Sequence, residues 1–364
     1  MIQLVTRVVL LFGGRSAEHE VSILSARSVA NAAPRDRITV TPICIARDGR
    51  FVAPERSARI LAGGETSQTG DPAFSFETWS RAEHIDLVFP LIHGTDGEDG
   101  ALQGYLEILG LPYVGSGVTA SAVSMDKVHM KQAFAAAKLP MVDFVPVQEH
   151  DWHNERDRVV RAISNALRLP YFVKPANAGS SVGVTKVKND ADLAKAVEHA
   201  LLFDGKVVVE RGVDAREIEV SVLGNESPQA SVPGEIVVGR EFYDYTDKYV
   251  ENKSSLVIPA KLAPDKATEI RRMALTAFKA VAASGFARVD FFLERGTNRM
   301  YVNEINTIPG FTNISMYPKL WEASEVRYPR LIERLIQLGI ERSSSRAARA
   351  ATTMRWFEQV ASIT

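Results

Sequence analysis

Ala287-Arg288-Val289-Asp290-Phe291-Phe292 and Met300-Tyr301-Val302-Asn303-Glu304-Ile305-Asn306 each set ionisable or metal-liking side chains inside an apolar, β-branched and aromatic run. Residues two apart on a strand share a face, so Glu304 and Asn306 project together, and a neighbouring strand would bring Asp290 beside them. Such a cluster offers oxygen alone. Two close carboxylates are costly to bury without a cation, and a hard oxygen set suits Mg²⁺, which usually comes with substrate phosphates. Arg288 adds a permanent positive charge. Either segment alone reads more readily as an edge strand whose acids face water. Two of them close in sequence, followed by the turn Thr307-Ile308-Pro309-Gly310, favour a metal site.

Around this pair, the 364 residues suggest two or three domains, each able to bury its own core. A net charge of -1 argues for neither nucleic acid nor an anionic membrane as the main partner, so a small substrate is expected. Cys44, the single cysteine, lies in the apolar run Ile38–Ala46; it excludes an internal disulfide, fits a reducing compartment and reads as core. No apolar stretch approaches the ~20 residues that cross a bilayer, and the N-terminal stretch lacks the pattern of a signal peptide. The expectation is a cytoplasmic protein.

The first third alternates strand-like and helix-like segments: Arg7–Gly13, a stretch to Ala33, Ile38–Ala46, Leu87–Ile92, a helix over Asp99–Leu109, and Pro112–Gly115. That rhythm predicts an α/β fold with a parallel sheet. Residues from about Pro54 to His84 carry glycines, a proline and scattered charges and read mostly as a loop or insertion. Ser124 reads as the N-cap of a helix through Lys138 that opens a second domain. The middle region reads as strands over Tyr171–Pro175, Val182–Val187, Lys206–Glu210 and Glu217–Leu223, with one helix from Asn189-Asp190 to Phe203. After Pro264 a stripe at helical period marks a long amphipathic helix ending near Gly285. Arg342–Thr364, rich in Ser, Arg and Ala, reads as a peripheral or frayed helix.

Several motifs carry chemistry. Gly13-Gly14-Arg15-Ser16-Ala17-Glu18 runs from a strand into a helix, where glycines admit a ligand and the helix start favours an anion. Its spacing is not that of a dinucleotide fingerprint. Glu18 could hold an ammonium, or be a solvated first-turn acid. His93-Gly94-Thr95-Asp96-Gly97-Glu98-Asp99-Gly100 follows a strand, where open α/β sheets gather ligands, yet a lone His is as often structural. Lys174 interrupts an apolar strand ahead of Ala178-Gly179-Ser180-Ser181-Val182-Gly183, a loop able to offer N–H groups and two hydroxyls to phosphate, although not a Walker A sequence. Lys127 is a second phosphate candidate or a surface residue. Glu210 and Glu217 stand at strand ends, as partners for adenine and ribose or as solvated charges. Phe242–Tyr249 has the aromatic and charged makeup of a loop closing over a site.

In this order, Gly13–Ser22, His93–Gly100, Ser124-Met125-Asp126-Lys127, Val173-Lys174-Pro175 with Gly179–Gly183, Asp244-Tyr245-Thr246-Asp247-Lys248-Tyr249 and Asn303–Gly310 closely resemble the D-alanine–D-alanine ligases of the ATP-grasp superfamily. The resemblance spans roughly residues 8 to 320 and leaves out the Pro54–His84 stretch and the tail after about Glu341. It implies an α/β, overall α+β, architecture: an ATP-grasp fold behind an N-terminal parallel-sheet, Rossmann-like domain. The expected units are 1-123 for substrate, 124-213 as an ATP-grasp lid, 214-341 as the catalytic ATP-grasp domain, and a tail over 342-364.

Carried over by residue, the resemblance implies that Lys127 and Lys174 contact ATP phosphates, that Ser181 belongs to the nucleotide site, that Glu210 and Glu217 hold adenine and ribose, and that Lys248 reaches the γ-phosphate. Asp290, Glu304 and Asn306 would ligate two Mg²⁺ ions, with Mn²⁺ a possible substitute. Glu18 would anchor the first D-alanine's ammonium and, with Ser180 and Tyr249, tie the mobile loop shut. His93 would belong to the substrate site. Arg288 and the Gly310 N–H would face the oxyanion, and Ser315 with Met316 the second D-alanine's carboxylate. Met316 stands where several relatives have Leu, a volume-similar change. A homodimer acting on D-alanine and ATP, without nucleic acid or membrane, is the implied assembly. Tyr249, where ester-forming relatives carry His, implies D-alanine rather than D-lactate as the second substrate.

Two rivals have distinct signatures. A carboxylase-like ATP-grasp enzyme would share the lysines and acids but lack the Glu18 and His93 motifs, and a non-catalytic ATP-binding module would have lost Asp290, Glu304 or Arg288. All are present.

Overall fold

The computed structural model describes residues 5–237 and 255–361. Three sheets organise them. The first contains Phe51–Val52, Ile38–Ile45, Thr6–Gly13 and Leu87–Pro90 in that spatial order. Thr6–Gly13 pairs in parallel with both Ile38–Ile45 and Leu87–Pro90. Near-continuous apolar runs suit strands covered on both faces. The helix His19–Ala32 and the C-terminal helix Tyr328–Ala361 supply part of that cover, burying Ala26, Val29, Leu331, Ile332 and Leu335. Chain order reverses on either side of Thr6–Gly13, so the carboxyl ends of Thr6–Gly13 and Leu87–Pro90 form a switch point.

The second sheet is antiparallel, with order Phe144–Gln148, Lys206–Arg211, Tyr171–Pro175, Thr185–Val187. The third holds Ser255–Val257, Gly234–Val237, Ala215–Gly224, Gly285–Glu294 and Met300–Asn306, with Gln229–Ala230 paired to Ala215–Gly224. Its apolar face packs on the helix Pro264–Ala280 through Ile270, Met273, Ala277 and Phe278, the stripe that the sequence displays. Its opposite face is polar and forms the floor of a cleft between the second and third sheets.

Several expectations are corrected. Pro54–His84 is not mainly loop: it holds the helices Pro54–Ala62 and Phe76–Ala82. Pro54 starts the first, where its missing N–H costs nothing, and Gly63 at φ 86° ends it. Ser75 caps the second by accepting the Thr78 N–H, and Phe76 stacks on Phe51 at 4.8 Å. Ser124 caps nothing; it lies inside the helix Val118–Met125, and the cap of the following helix Lys127–Ala136 is Asp126, which accepts the N–H groups of Val128 and His129. Serine and aspartate cap about equally well, and it is Asp126, directly before the helix, whose carboxylate reaches the two N–H groups.

The middle region has more helix than expected, with Glu149–Asn154 and Arg156–Ala166 besides Leu193–Leu201, and it has a strand, Phe144–Gln148, that reads weakly because Pro146 interrupts it. Pro112–Gly115 makes only one isolated bridge, Val88 to Tyr113, and the Val182–Val187 strand shortens to Thr185–Val187. The tail is a helix, as expected. It continues the helix Tyr328–Ala361, with Arg342 over the Tyr113 ring at 4.1 Å and Arg346 paired to Glu107 at 2.8 Å, before its outer turns become exposed.

Candidate functional site

The polar face of the third sheet arises from strict alternation. Along Gly285–Glu294, residues 287, 289, 291 and 293 are buried in the helix-packed core while Arg288, Asp290 and Phe292 point into the cleft. Register sets Asp290 opposite Glu304 on one neighbour and opposite Glu219 on the other, with Arg288 opposite Asn306. The pairing slips between Asp290 and Phe291, which leaves Asn303 as the extra residue on Met300–Asn306. Arg288 holds Asp290 by a fork of two 2.7 Å hydrogen bonds and reaches Glu219 at 2.9 Å. Burial disfavours the Arg288 cation, but Asp290 and Glu219 outweigh it and hold its pKa well above the ordinary value. Asn306 donates Nδ2–H to Asp290 at 3.0 Å, which leaves its carbonyl oxygen as an acceptor.

The roof comes from the second sheet. Lys174 donates to Glu210 Oε2 at 2.6 Å, and Lys131 stands 3.0 Å from Oε1. Burial alone would push the Glu210 carboxyl up; the two ammoniums instead bring it down to about 2. Lys174 is raised, since Glu210 overcomes its desolvation. Lys127, at the start of its helix, donates to the Ala178 carbonyl at 2.7 Å and is lowered by burial despite Glu304 nearby. The loop after Lys174 carries Ser180 and Ser181 at φ 48° and 61°, a left-handed pair that non-glycine residues seldom adopt. Ser180 donates a short hydrogen bond to Glu18 Oε1, spanning from the second sheet to the first.

At the switch point of the first sheet, Ser16 donates to the His93 carbonyl at 2.7 Å, and Gly94 packs so close that a Cβ would lie 2.8 Å from Glu18 Oε2. His93 is buried. Its Nδ1 lies 2.9 Å from the Ile308 carbonyl and therefore bears the proton, which leaves Nε2, 2.9 Å from Ser25 Oγ, to accept. Burial lowers its pKa and keeps it neutral. Glu98 accepts the Gly94 N–H and the Ile308 N–H, each at 3.0 Å. Burial, with Glu18 close by, pushes its carboxyl up to about 8. His93 and Glu98 thus clamp the turn after Met300–Asn306 onto the first sheet, and Tyr328 adds a hydrogen bond to the Phe311 carbonyl at 2.5 Å.

These pieces enclose a cleft of about 740 Å³ lined by Glu18, His93, Lys127, Lys174, Ser180, Ser181, Glu210, Glu217, Arg288, Asp290, Glu304, Asn306 and Gly310. Ser315 and Met316 are not in its lining. Ser315 stands behind Gly310, its Oγ 2.7 Å from Thr312 Oγ1, and Met316 turns its side chain into an apolar cluster with Ile236 and Leu320. Lys248 and Tyr249 lie outside the described residues. Sequence reading assigns no role to Lys131 and no individual role within their motifs to Glu98 or Glu219. The alternation of Glu217 and Glu219 with Ile218 and Val220 was a signal for the last, and the one-turn spacing from Lys127 a signal for Lys131.

Asp290, Glu304 and the Asn306 carbonyl form a hard oxygen set on one face, which fits Mg²⁺ better than a softer metal. Arg288 uses one lone pair on each Asp290 oxygen and Asn306 a second on Oδ2, which leaves the other lone pair of Oδ1 to offer a cation. Among the described residues no three His, Cys, Asp or Glu side chains form a metal cage on their own. Among them, too, no helix is long and apolar enough to cross a membrane.

Comparison with known proteins converges on one family. Residues 7–116 match the family described as D-ala D-ala ligase N-terminus, and residues 133–337 match D-ala D-ala ligase C-terminus. A D-alanine--D-alanine ligase of Halothermothrix orenii is 47% identical over 338 residues, covering 92% of this chain and 98% of that one. One from Geobacillus thermodenitrificans is 47% identical over 351 residues, covering 93% and 96%. Among solved structures, the D-alanine-D-alanine ligase from Coxiella burnetii has a TM-score of 0.81 at 36% identity, covering 98% of this chain and 99% of that chain. VanG D-Ala:D-Ser ligase from Enterococcus faecalis has a TM-score of 0.81 at 32% identity, covering 92% and 100%.

Proposed function

The chain belongs to the D-alanine–D-alanine ligase family, with the ATP-grasp fold of that family, and we propose how its cleft joins two D-alanines at the expense of ATP for peptidoglycan synthesis. The observation that carries the reading is the convergence in one cleft of an oxygen set on strands, a lysine pair above it and a carboxylate, Glu18, at the switch point of the first sheet.

A carboxylate is a poor electrophile, so it must be activated. Glu18 holds the ammonium of the first D-alanine, and that substrate's carboxylate attacks the γ-phosphoryl group of ATP to give an acyl phosphate and ADP. Lys127, Lys174 and Arg288 offset phosphate charge and keep the reactants aligned. Asp290, Glu304 and Asn306 would hold two Mg²⁺ ions, with Mn²⁺ as substitute, and the metal supplies charge neutralisation at the phosphates. The second D-alanine's amine, stripped of a proton, attacks the acyl carbon. Arg288 and the Gly310 N–H face the oxyanion that develops there, and the C–O bond to phosphate breaks. Acyl phosphates hydrolyse, so water has to be kept out, and the Ser180–Glu18 contact supports a closing loop here. Tyr249 and Lys248 belong to the same proposal.

Glu217 and the Phe172 face offer a wall for the nucleoside, with Ser181 beside them. Both Glu210 oxygens already carry ammoniums, so an adenine contact there uses its remaining lone pairs. His93 acts by holding the Ile308 turn, since both its ring nitrogens are engaged. Ser315 and the backbone of Met316 would reach the second carboxylate from the start of the helix Met316–Glu322. The three sheets support units near 1-123, 124-213 and 214-341, with 342-364 as an appendage. A cytoplasmic homodimer completes the proposal, supported by the need for ATP and by the single buried thiol of Cys44.

Phosphate release with ATP, Mg²⁺ and a panel of D- and L-amino acids, D-serine and D-lactate tests the assignment. D-alanine alone should sustain turnover and exceed D-lactate as second substrate at neutral pH. Preference for an L-amino acid, or a predominantly ester product, would contradict it.

A further inference from the structure

Lys131 is a lysine with 1% of its surface exposed, and the proposed chemistry gives it no part. It sits one turn beyond Lys127 on the helix Lys127–Ala136, outside the cleft's lining. Its Nζ lies 3.0 Å from Glu210 Oε1 and 5.3 Å from the centre of the Phe144 ring. Glu210, 2% exposed, is registered between Phe144 on one neighbouring strand and Phe172 on the other. On its second oxygen it holds Lys174, the lysine that reaches the cleft.

A buried carboxylate of this kind demands a counter-ion. If Lys174 were its sole partner, the pair would be neutral and an incoming phosphate would meet Glu210's negative charge beside Lys174's positive one. With Lys131 behind it, the group of Lys131, Glu210 and Lys174 carries one net positive charge. We propose that Lys131 is a positioning residue: it neutralises Glu210 from the protein side, so that the Lys174 ammonium keeps its attraction for an ATP phosphate. The inference rests on the proposed contact of Lys174 with phosphate. Adenosine is uncharged and ADP is not, so losing one positive charge should weaken ADP more than adenosine, even though Glu210 also faces the adenine.

The ratio of ADP to adenosine affinity, measured by calorimetry on the full chain, isolates that effect. Lys131→Met should lower the ratio by roughly tenfold, since one unit charge at several Å through protein is worth a kcal/mol or more. Lys131→Arg should keep most of it. Lys131→Met combined with Glu210→Gln restores one net positive charge and removes the buried acid that otherwise cancels Lys174; any adenine contact changed by Glu210→Gln is shared by ADP and adenosine, so the ratio should return near the unmodified protein's. Lys174→Met separates the two layers of the argument. If it leaves the ratio unchanged, the phosphate contact itself is wrong and the inference falls with it. If Lys174→Met lowers the ratio while Lys131→Met does not, or if the double variant stays as low as Lys131→Met, the contact stands and the role given to Lys131 is wrong. Parallel loss of ADP and adenosine in Lys131→Met, uncorrected in the double variant, would mark Lys131 as merely structural.

Discussion

The floor of the cleft and its N-terminal rim hold their polar groups in different ways. On the floor, Arg288, Asp290, Glu304 and Asn306 sit on paired strands, fixed by ladder register, and opposite charges face one another across 2.7–2.9 Å contacts. At the rim, Glu18, His93 and Glu98 sit on turns and helix starts, and backbone N–H groups, a carbonyl and serine hydroxyls hold them across hundreds of residues of sequence. The floor is an electrostatic surface whose geometry is set by strand register. The rim is assembled from three parts of the chain, which suits recognition and closure. Removing charge from the floor should therefore cost chemistry, and removing it from the rim should cost binding or stability.

The largest effect is expected on the floor. Glu304→Gln, which keeps volume and removes one charge, should reduce kcat by roughly 100-fold or more while thermal unfolding barely changes; near-normal turnover at saturating Mg²⁺ would remove Glu304 from the metal site. Lys174→Ala, on the roof, should raise the KM for ATP by about tenfold or more. Steady-state kinetics with ATP varied decide it, an unchanged KM meaning that Lys174 only neutralises Glu210. At the rim, Glu18→Gln should weaken the first D-alanine by about tenfold and ATP much less, because a charge-assisted hydrogen bond is lost only there. Equal losses for both ligands would assign Glu18 to loop closure rather than recognition.

The smallest effect concerns pH. Glu98 sits at about 8 in the folded chain against 4.5 unfolded, so the folded state binds the extra proton. Its contribution is full below the unfolded value and fades as pH rises through about 8. Glu98→Gln should flatten that decline, by roughly 1–3 kcal/mol between pH 5 and 8. Denaturant unfolding at both pH values checks this, and an identical slope in the two proteins would show that Glu98 is ionised throughout.

The same contrast explains what the sequence revealed. Asp290, Glu304, Asn306 and Arg288 were legible because alternation with Val289, Phe291 and Ile305 puts them on one face of two strands, whatever the rest of the fold does. Lys174 was legible as a charge in an apolar strand. Glu98 was not, since its partners Gly94 and Ile308 lie 4 and 210 residues away and nothing local links them. Lys131 looked like any polar helix residue until Glu210 was placed beside it. The helix Pro54–Ala62 was hidden because Gly63, a loop signal by composition, marks its C-terminal end, and Pro54 its start. Local physics left Glu18 open between an ammonium contact and a solvated acid, and only the family's motifs favoured the first.

The central claim is that this cleft phosphorylates the carboxylate of one D-alanine and then passes its carbon to the amine of another. D-alanine carrying ¹⁸O in both carboxylate oxygens, incubated with unlabelled ATP and Mg²⁺, tests it directly by mass spectrometry of the released phosphate. The account predicts one ¹⁸O atom in each phosphate formed, matched by one dipeptide that has lost one label at its new amide. Dipeptide formed alongside wholly unlabelled phosphate would contradict it.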